Sequence, residues 1–276
     1  MGPASETYRG AAAPWECDVT EHFTLAFYFD RVAMAEALLA AELGLGELLR
    51  EGGFARCYDV RLARELNAGS AFQIESGLIG LDGGLRFGHR VVDATTGDTV
   101  TWCDVHWEAE VAGLPVSRLT AWEGSQFAPR AEPTDLARLT PTAAGRVQPG
   151  DLDEFGRMGL CWMAHKFSHS AVQTISAVGL TARYIETDRR SYSTFELRLR
   201  IAGSPGLGDR YQIRSGITHL GNSSLHFAHM MSDAASGREI ARVGQYGVQL
   251  DLDARRPAPL AAELRERAQR LLLPQA

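Results

Sequence analysis

The sequence predicts an α+β chain made of two copies of one domain, each a long central helix wrapped by an antiparallel sheet. Two observations carry the duplication and a third carries the class. Around Asp18 the chain reads Trp15-Glu16-Cys17-Asp18-Val19-Thr20-Glu21-His22-Phe23, then an apolar run to Leu43-Gly44-Leu45. Around Asp153 it reads Asp151-Leu152-Asp153-Glu154-Phe155-Gly156-Arg157-Met158, then another run to Val178-Gly179-Leu180. The aspartate-to-glycine spacing is identical, 44 − 18 = 179 − 153 = 26. The second observation is that the match continues. Gln73-Ile74-Glu75-Ser76-Gly77-Leu78 corresponds to Gln212-Ile213-Arg214-Ser215-Gly216-Ile217, and Leu85-Arg86-Phe87-Gly88-His89 to Leu225-His226-Phe227-Ala228-His229. A period this long denotes two domains rather than a solenoid of small units. The third is the change of pattern after each apolar run, from helical to the two-residue alternation of strands.

The elements follow in order. Ala26 to Leu43 is apolar nearly all round, broken by Asp30, Arg31, Glu36 and Glu42, so this helix must be covered on most sides. Gly44 stands where a C-terminal cap belongs. Phe72–Leu78, Leu85–Val92 and Asp98–Val111 alternate as strands. Asp93-Ala94-Thr95-Thr96-Gly97 and its counterpart Asp233-Ala234-Ala235-Ser236-Gly237 are hairpin turns. The repeat drifts by four residues at Gly203-Ser204-Pro205-Gly206-Leu207-Gly208, a loop by composition. The predicted organisation is a first domain over 1–112, a linker over 113–145 rich in Pro, Ala, Thr and Arg, a second domain over 146–254, and a tail over 255–276. Within the tail, Pro259 to Leu273 is a charged amphipathic helix that packs on the outside.

Composition bounds the partners. A chain of 276 residues with 45% hydrophobic and 22% charged residues has ordinary globular usage and room for two domains. No apolar stretch approaches the roughly 20 residues that span a bilayer, and the N-terminus lacks the pattern of a signal peptide. The four cysteines, Cys17, Cys57, Cys103 and Cys161, have no metal-like spacing, which suits a reduced cytoplasmic setting. A net charge of −6 without a basic stripe argues against nucleic acid. Neither a membrane nor a metal is expected. His165 and His169 are four apart on the second helix, but no third ligand accompanies them.

An aspartate in a short turn before an apolar helix that ends in Leu-Gly, followed by strands with Asp-x-x-x-Gly turns, resembles the hotdog fold. More narrowly, the chain resembles the 4-hydroxybenzoyl-CoA thioesterase-like family in its tandem, double-hotdog form. The resemblance implies an intramolecular pseudo-dimer with the two units paired sheet to sheet. It implies an acyl-CoA tunnel lined by the helix N-terminus of one unit and the facing helix of the other. It implies an aspartate acting as general base or nucleophile, carried by position onto Asp18 and Asp153. Departures from the family pattern are Glu21 where glycine is usual, Thr24 where asparagine is frequent, and Arg157 in the histidine place of the second half.

The implied chemistry suits these residue types. A carboxylate can activate water or attack a thioester carbonyl, and free amides at a helix start can hold the oxyanion. His22 follows Asp18 by four residues and can orient the carbonyl or a water. Arg157 holds the same place after Asp153 and, being always charged, suits charge stabilisation. The reading favours the Asp18 site. Phe23, Thr24, Phe27, Asp30, Met158 and Trp162 are candidates to line the substrate, with Met163 and Glu36 behind them. Each has a plainer reading. Asp18 and Asp153 are also natural N-caps, His89 and His229 fall on the strand face that packs under the helix, and the aromatic residues suit a core. The function expected is hydrolysis of an acyl-CoA or acyl carrier protein thioester, with CoA or phosphopantetheine entering only as part of the substrate. The alternative is a non-hydrolytic double-hotdog protein that binds an acyl thioester, or one that catalyses a dehydratase or hydratase step. A pure scaffold gives no reason, at this level, to keep both aspartates in one register. Exposed sheet edges can recruit further copies into a homo-oligomer.

Overall fold

In the computed structural model, which describes residues 2–18, 20–109, 111, 113–124 and 135–274, the duplication is visible element by element. The first unit runs β1 (Ser5–Ala11), α1 (Leu25–Glu42), α2 (Gly46–Glu51), β2 (Arg56–Leu62), β3 (Ala71–Gly80), β4 (Leu85–Asp93) and β5 (Thr99–Trp107). The second runs β6 (Thr140–Arg146), α3 (Leu160–Val178), α4 (Ala182–Asp188), β7 (Arg190–Ile201), β8 (Arg210–Leu220), β9 (Ser224–Asp233) and β10 (Glu239–Asp251). The two-residue β11 (Arg256–Pro257) and the terminal helix α5 (Ala262–Leu271) follow. Among the described residues no helix is long and apolar enough to cross a membrane.

The long apolar runs become helices because each is flanked by residues that stop it. Gly44 and Gly179 both take positive φ, +76° and +106°, at the end of α1 and α3. Their nearly continuous apolar surface is covered by the sheet and by each other. Phe29 and Val32 of α1 share one core with Met163 and Phe167 of α3, and with Tyr58 and Leu199 of the two central strands.

The sheet is continuous across both units, in the order β1-β3-β4-β5-β2-β7-β10-β9-β8-β6, with β11 beside β10. The units therefore pair edge to edge, β2 antiparallel to β7, rather than sheet against sheet as the resemblance implied. The physical reason is that β2 and β7 each have an unpaired edge, and joining them satisfies both ladders at once. Arg198 reaches across this seam to Asp59 with two bonds of 2.6 and 3.1 Å.

Two boundaries differ from the sequence reading. β6 starts at Thr140, inside the stretch 113–145 read as linker, and pairs with β8. Its Thr-Pro-Thr-Ala-Ala-Gly-Arg sequence is mostly exposed and lacks strand alternation, as an edge strand can. β5 ends at Trp107, short of Val111. Thr120 and Trp122, which follow β5, lie against the sheet. A Cβ on Gly77 would sit 2.4 Å from Thr120 Oγ1, and one on Gly88 would sit 2.3 Å from the Trp122 ring. These strand glycines are thus places where a covering segment approaches the backbone. The tail helix α5 buries Leu264 and Ala268 against Val178, Ile217 and Phe227.

Candidate active site

Each unit enters its helix through a tight turn stapled by an aspartate. Asp18 Oδ1 accepts from Thr20 N–H at 2.8 Å, Thr20 Oγ1 at 2.6 Å and His22 N–H at 3.2 Å. Asp153 Oδ1 accepts from Phe155 N–H and Arg157 N–H, both at 2.9 Å. Neither aspartate is the helix N-cap. That position belongs to Thr24 and Gly159, and no side chain caps either helix. The turn needs a left-handed residue at its fourth position. Gly156 supplies it at φ +76°, and Glu21 is held in the same conformation at φ +65°.

The two turns then diverge. In the first, His22 Nδ1 lies 2.9 Å from Thr20 Oγ1 and Nε2 lies 3.1 Å from Glu65 Oε2. Asp18, Thr20, His22 and Glu65 therefore form one hydrogen-bonded chain. It borders a cleft of about 560 Å³ whose other wall is Ser191 to Phe195 with Val248, Leu250, Asp251 and Leu252 of the second unit. Phe23, Thr24 and Leu25 also line this cleft. Thr24 Oγ1 is a buried atom without a hydrogen-bond partner. The first amides of α1 have no acceptor within the helix, and Thr24 leaves them uncapped. The cleft thus brings a carboxylate, a hydroxyl, an imidazole and the positive end of a helix to one wall.

The second turn is closed. The Arg157 guanidinium donates to the Leu49 carbonyl at 3.1 Å and stacks on Phe155 at 4.8 Å. A Cβ on Gly52 would lie 2.1 Å from its Nη1. Arg157 fastens this turn to the first unit, and its remaining ionic contact is Asp153 at 3.5 Å. Arg56, half-buried, has its pKa raised by Tyr58 first, then by Glu36 and Asp153.

Of the predicted lining residues, Phe23 and Thr24 border the cleft, whereas Phe27, Asp30, Met158 and Trp162 are not among its walls. Phe27 meets His165 edge-on at 5.4 Å, and Trp162 lies against the same imidazole at 5.3 Å. Asp30 pairs with Arg31, and Met158 is 5% exposed in the shared core. Burial lowers the pKa of His165 from its ordinary value, helped by His169 and Lys166. Sequence reasoning passed over Thr20, Glu65 and the wall supplied by the start of β7 and the end of β10. Thr20 lay inside the quoted motif, whereas Glu65 and the wall are brought in only by the sheet.

This arrangement is that of a tandem hotdog protein with one open and one closed helix-entry turn. Residues 147–268 match the family model of the thioesterase-like superfamily. No curated protein matches the chain. Among solved structures, it is similar to an acyl-ACP thioesterase from Bacteroides thetaiotaomicron, with 12% identity and a TM-score of 0.66 over 87% of this chain and 96% of that one. It is also similar to the 12:0-ACP thioesterase from Umbellularia californica, with 12% identity and a TM-score of 0.62 over 91% and 93%. At these identities the likeness is one of fold, and it extends through both units.

Proposed function

We propose that the chain hydrolyses an acyl thioester carried on CoA or on an acyl carrier protein, and that the first-unit turn is its reactive site. The observation that carries this reading is the meeting of Asp18, His22, Thr24 and the uncapped start of α1 in one cleft walled by the other unit. The thioester carbonyl lies at the start of α1, where first-turn amides and the Thr24 hydroxyl receive the developing oxyanion. Asp18 Oδ1 is held by the turn, which leaves Oδ2 to face the substrate. As a general base it takes a proton from water, the hydroxide adds to the carbonyl, and the C–S bond breaks. The proton then passes to the departing thiolate. As a nucleophile it forms an anhydride that water opens, with the same overall balance. Thr20 and Glu65 hold the two nitrogens of His22 and so fix its ring beside the carboxylate. Arg255, exposed at the rim and without an ion-pair partner among the described residues, suits a phosphate of CoA or phosphopantetheine. The superfamily match and the thioesterase names of the similar structures support the reading.

One observation favours the second reading, a double hotdog that binds a thioester without cleaving it or acts as a hydratase. Asp18 and Asp153 staple equivalent turns, so folding alone accounts for their shared register. A panel of acyl-CoAs and acyl carrier protein thioesters, assayed for free thiol, separates the two. Asp18→Asn keeps an acceptor oxygen for the turn and removes the carboxylate. It is expected to lower thiol release by about a hundredfold or more, while Asp153→Asn stays close to wild type. Tight binding of acyl thioesters with no thiol release from any of them would establish the second reading.

A further inference from the structure

One difference between the cores of the two units lies beside a chamber next to the proposed site. In the first unit the space between α1 and the strands β2 and β5 is filled by Glu36, Tyr58 and Trp107, which are 3%, 0% and 0% exposed. Tyr58 donates to Glu36 Oε2 at 2.9 Å and Trp107 Nε1 donates to Oε1. The helix offset places Ala171 at the position of Glu36 (171 − 36 = 165 − 30 = 135). The strand register places Leu197 at the position of Tyr58, because Tyr58 pairs with Val105 and Leu197 pairs with the matching Gln245. Gly247 likewise matches Trp107, since their partners are Leu225 and Leu85. Tyr192 makes good only the last loss. Its ring occupies the space above Gly247 and stands edge-on to Phe227 at 5.2 Å, as Trp107 stands to Phe87 at 4.9 Å.

At the other two positions Ala171 and Leu197 are smaller than Glu36 and Tyr58. Both line a cavity of about 200 Å³, together with Phe29 and Phe167. It shares Leu25 and Thr194 with the cleft that holds Asp18. Its polar side chains are satisfied within the protein, Gln245 donating to Thr194 Oγ1 at 2.6 Å and Ser168 to the Ala164 carbonyl at 3.0 Å. An apolar space that is contiguous with a polar reactive mouth takes a ligand with a polar head and an apolar tail. Its far rim at Val172, which is 62% exposed, is open, so a longer tail can emerge into solvent.

We infer that the acyl chain of the substrate lies in the core of the second unit, and that Ala171 and Leu197 set the room available to it. The substrate class is then an aliphatic thioester of medium or longer chain. The inference rests on the proposed hydrolase reading, and the test keeps the two separable. Ala171→Phe and Leu197→Phe each refill the chamber from a different wall, and circular dichroism reports whether each folds. Thiol release is measured with butyryl-CoA and decanoyl-CoA, and binding is measured with a fluorescent long-chain fatty acid probe. The expected result is a tenfold or greater fall in the ratio of decanoyl-CoA to butyryl-CoA turnover, and a tenfold or greater loss of probe affinity. Probe binding that weakens in a folded variant, in a protein that cleaves no thioester, would uphold the chamber and remove the hydrolase reading. Unchanged chain-length preference and unchanged probe affinity in a folded variant would overturn the chamber, as would a wild-type protein that neither binds the probe nor prefers decanoyl-CoA.

Discussion

At the scale of the residue, the repeat marks where the backbone or a buried group has one solution. Gly156 takes φ +76° without a Cβ to clash, whereas Glu21 takes φ +65° with one. Gly156→Ala is expected to lose about 1 kcal/mol of stability in denaturant unfolding, and Glu21→Gly to gain stability or leave it unchanged. The paired histidines are also explained. Thr7 Oγ1 donates to the Ile74 carbonyl at 3.3 Å and lies 2.6 Å from Ser76 Oγ, which lies 2.7 Å from His89 Nδ1. Thr142, Ser215 and His229 repeat the chain at 3.3, 2.8 and 2.7 Å. Each threonine gives its proton to the carbonyl, so each serine donates back to its threonine and accepts from the histidine, and Nδ1 carries the proton. Nε2 is left buried and without a partner. Burial lowers the pKa of His89 to about 3 and of His229 to about 4. These values lie below the unfolded value of about 6.5. The unfolded chain therefore takes up protons first, and the contribution of both histidines is complete above pH 6.5 and is lost as pH falls toward 4 and then 3. Asp104, raised to about 6 by burial, and Glu36, also raised by burial, act in the opposite sense over part of that range, whereas Asp233 and Asp251, held down by hydrogen bonds in their turns, act in the same sense as the histidines. The melting temperature is expected to fall between pH 7 and pH 4, and His89→Gln with His229→Gln is expected to flatten that slope.

At the scale of the element, buried ion pairs lock each entry turn to its helix. Arg31 pairs with Glu16, and Lys166 pairs with Asp151 at 2.8 Å. Glu16 Oε2 and Asp151 Oδ2 also accept from Ala13 and Gln148 N–H, at 3.0 and 2.9 Å. The offset of 135 relates both members (151 − 16 = 166 − 31 = 135), so the pairing was open to reading in the sequence once the repeat was aligned. Its burial was not. Arg31→Met leaves a carboxylate that is 6% exposed without its cation and is expected to lower stability by about 3 kcal/mol. Arg31→Lys imports the second unit's solution and is expected to lower it by less than about 1 kcal/mol, both read from denaturant midpoints. The strands tell a similar story. β7 begins at Arg190 and β10 runs to Asp251, each extending beyond its counterpart in β2 and β5. That extension is the far wall of the cleft. In the first unit residues 52–55, equivalent to the start of β7, belong to no strand, and Phe54 packs on Trp107 at 5.0 Å.

At the scale of the whole molecule, the units share one sheet and one core. Tyr58 and Val60 of the first unit sit in the same apolar cluster as Leu197 and Leu199 of the second. Separation would expose that cluster and free the β2 and β7 edges together. Unfolding is therefore expected to be a single cooperative transition, followed identically by fluorescence and circular dichroism. Trp107→Ala and Phe227→Ala, each removing a fully buried ring and costing about 3 to 5 kcal/mol, are expected to move that one transition rather than split it. Two resolved transitions, each responding to one substitution, would show that the units fold independently.

The sequence by itself determined the duplication, the helices, the hairpin turns and the placement of both aspartates, because these depend on local pattern and on spacing along the chain. It also contained the asymmetry of His22 and Arg157, without saying what either touches. Tertiary structure alone decided that the units join through β2 and β7, that Arg157 closes one turn while the other opens on a cleft, and that Ala171 and Leu197 leave a chamber where Glu36 and Tyr58 fill the first unit. Those outcomes depend on which side chains face one another across distances that the linear order does not encode. A cleft or cavity is defined by residues from both units at once, and no single stretch of chain carries its pattern.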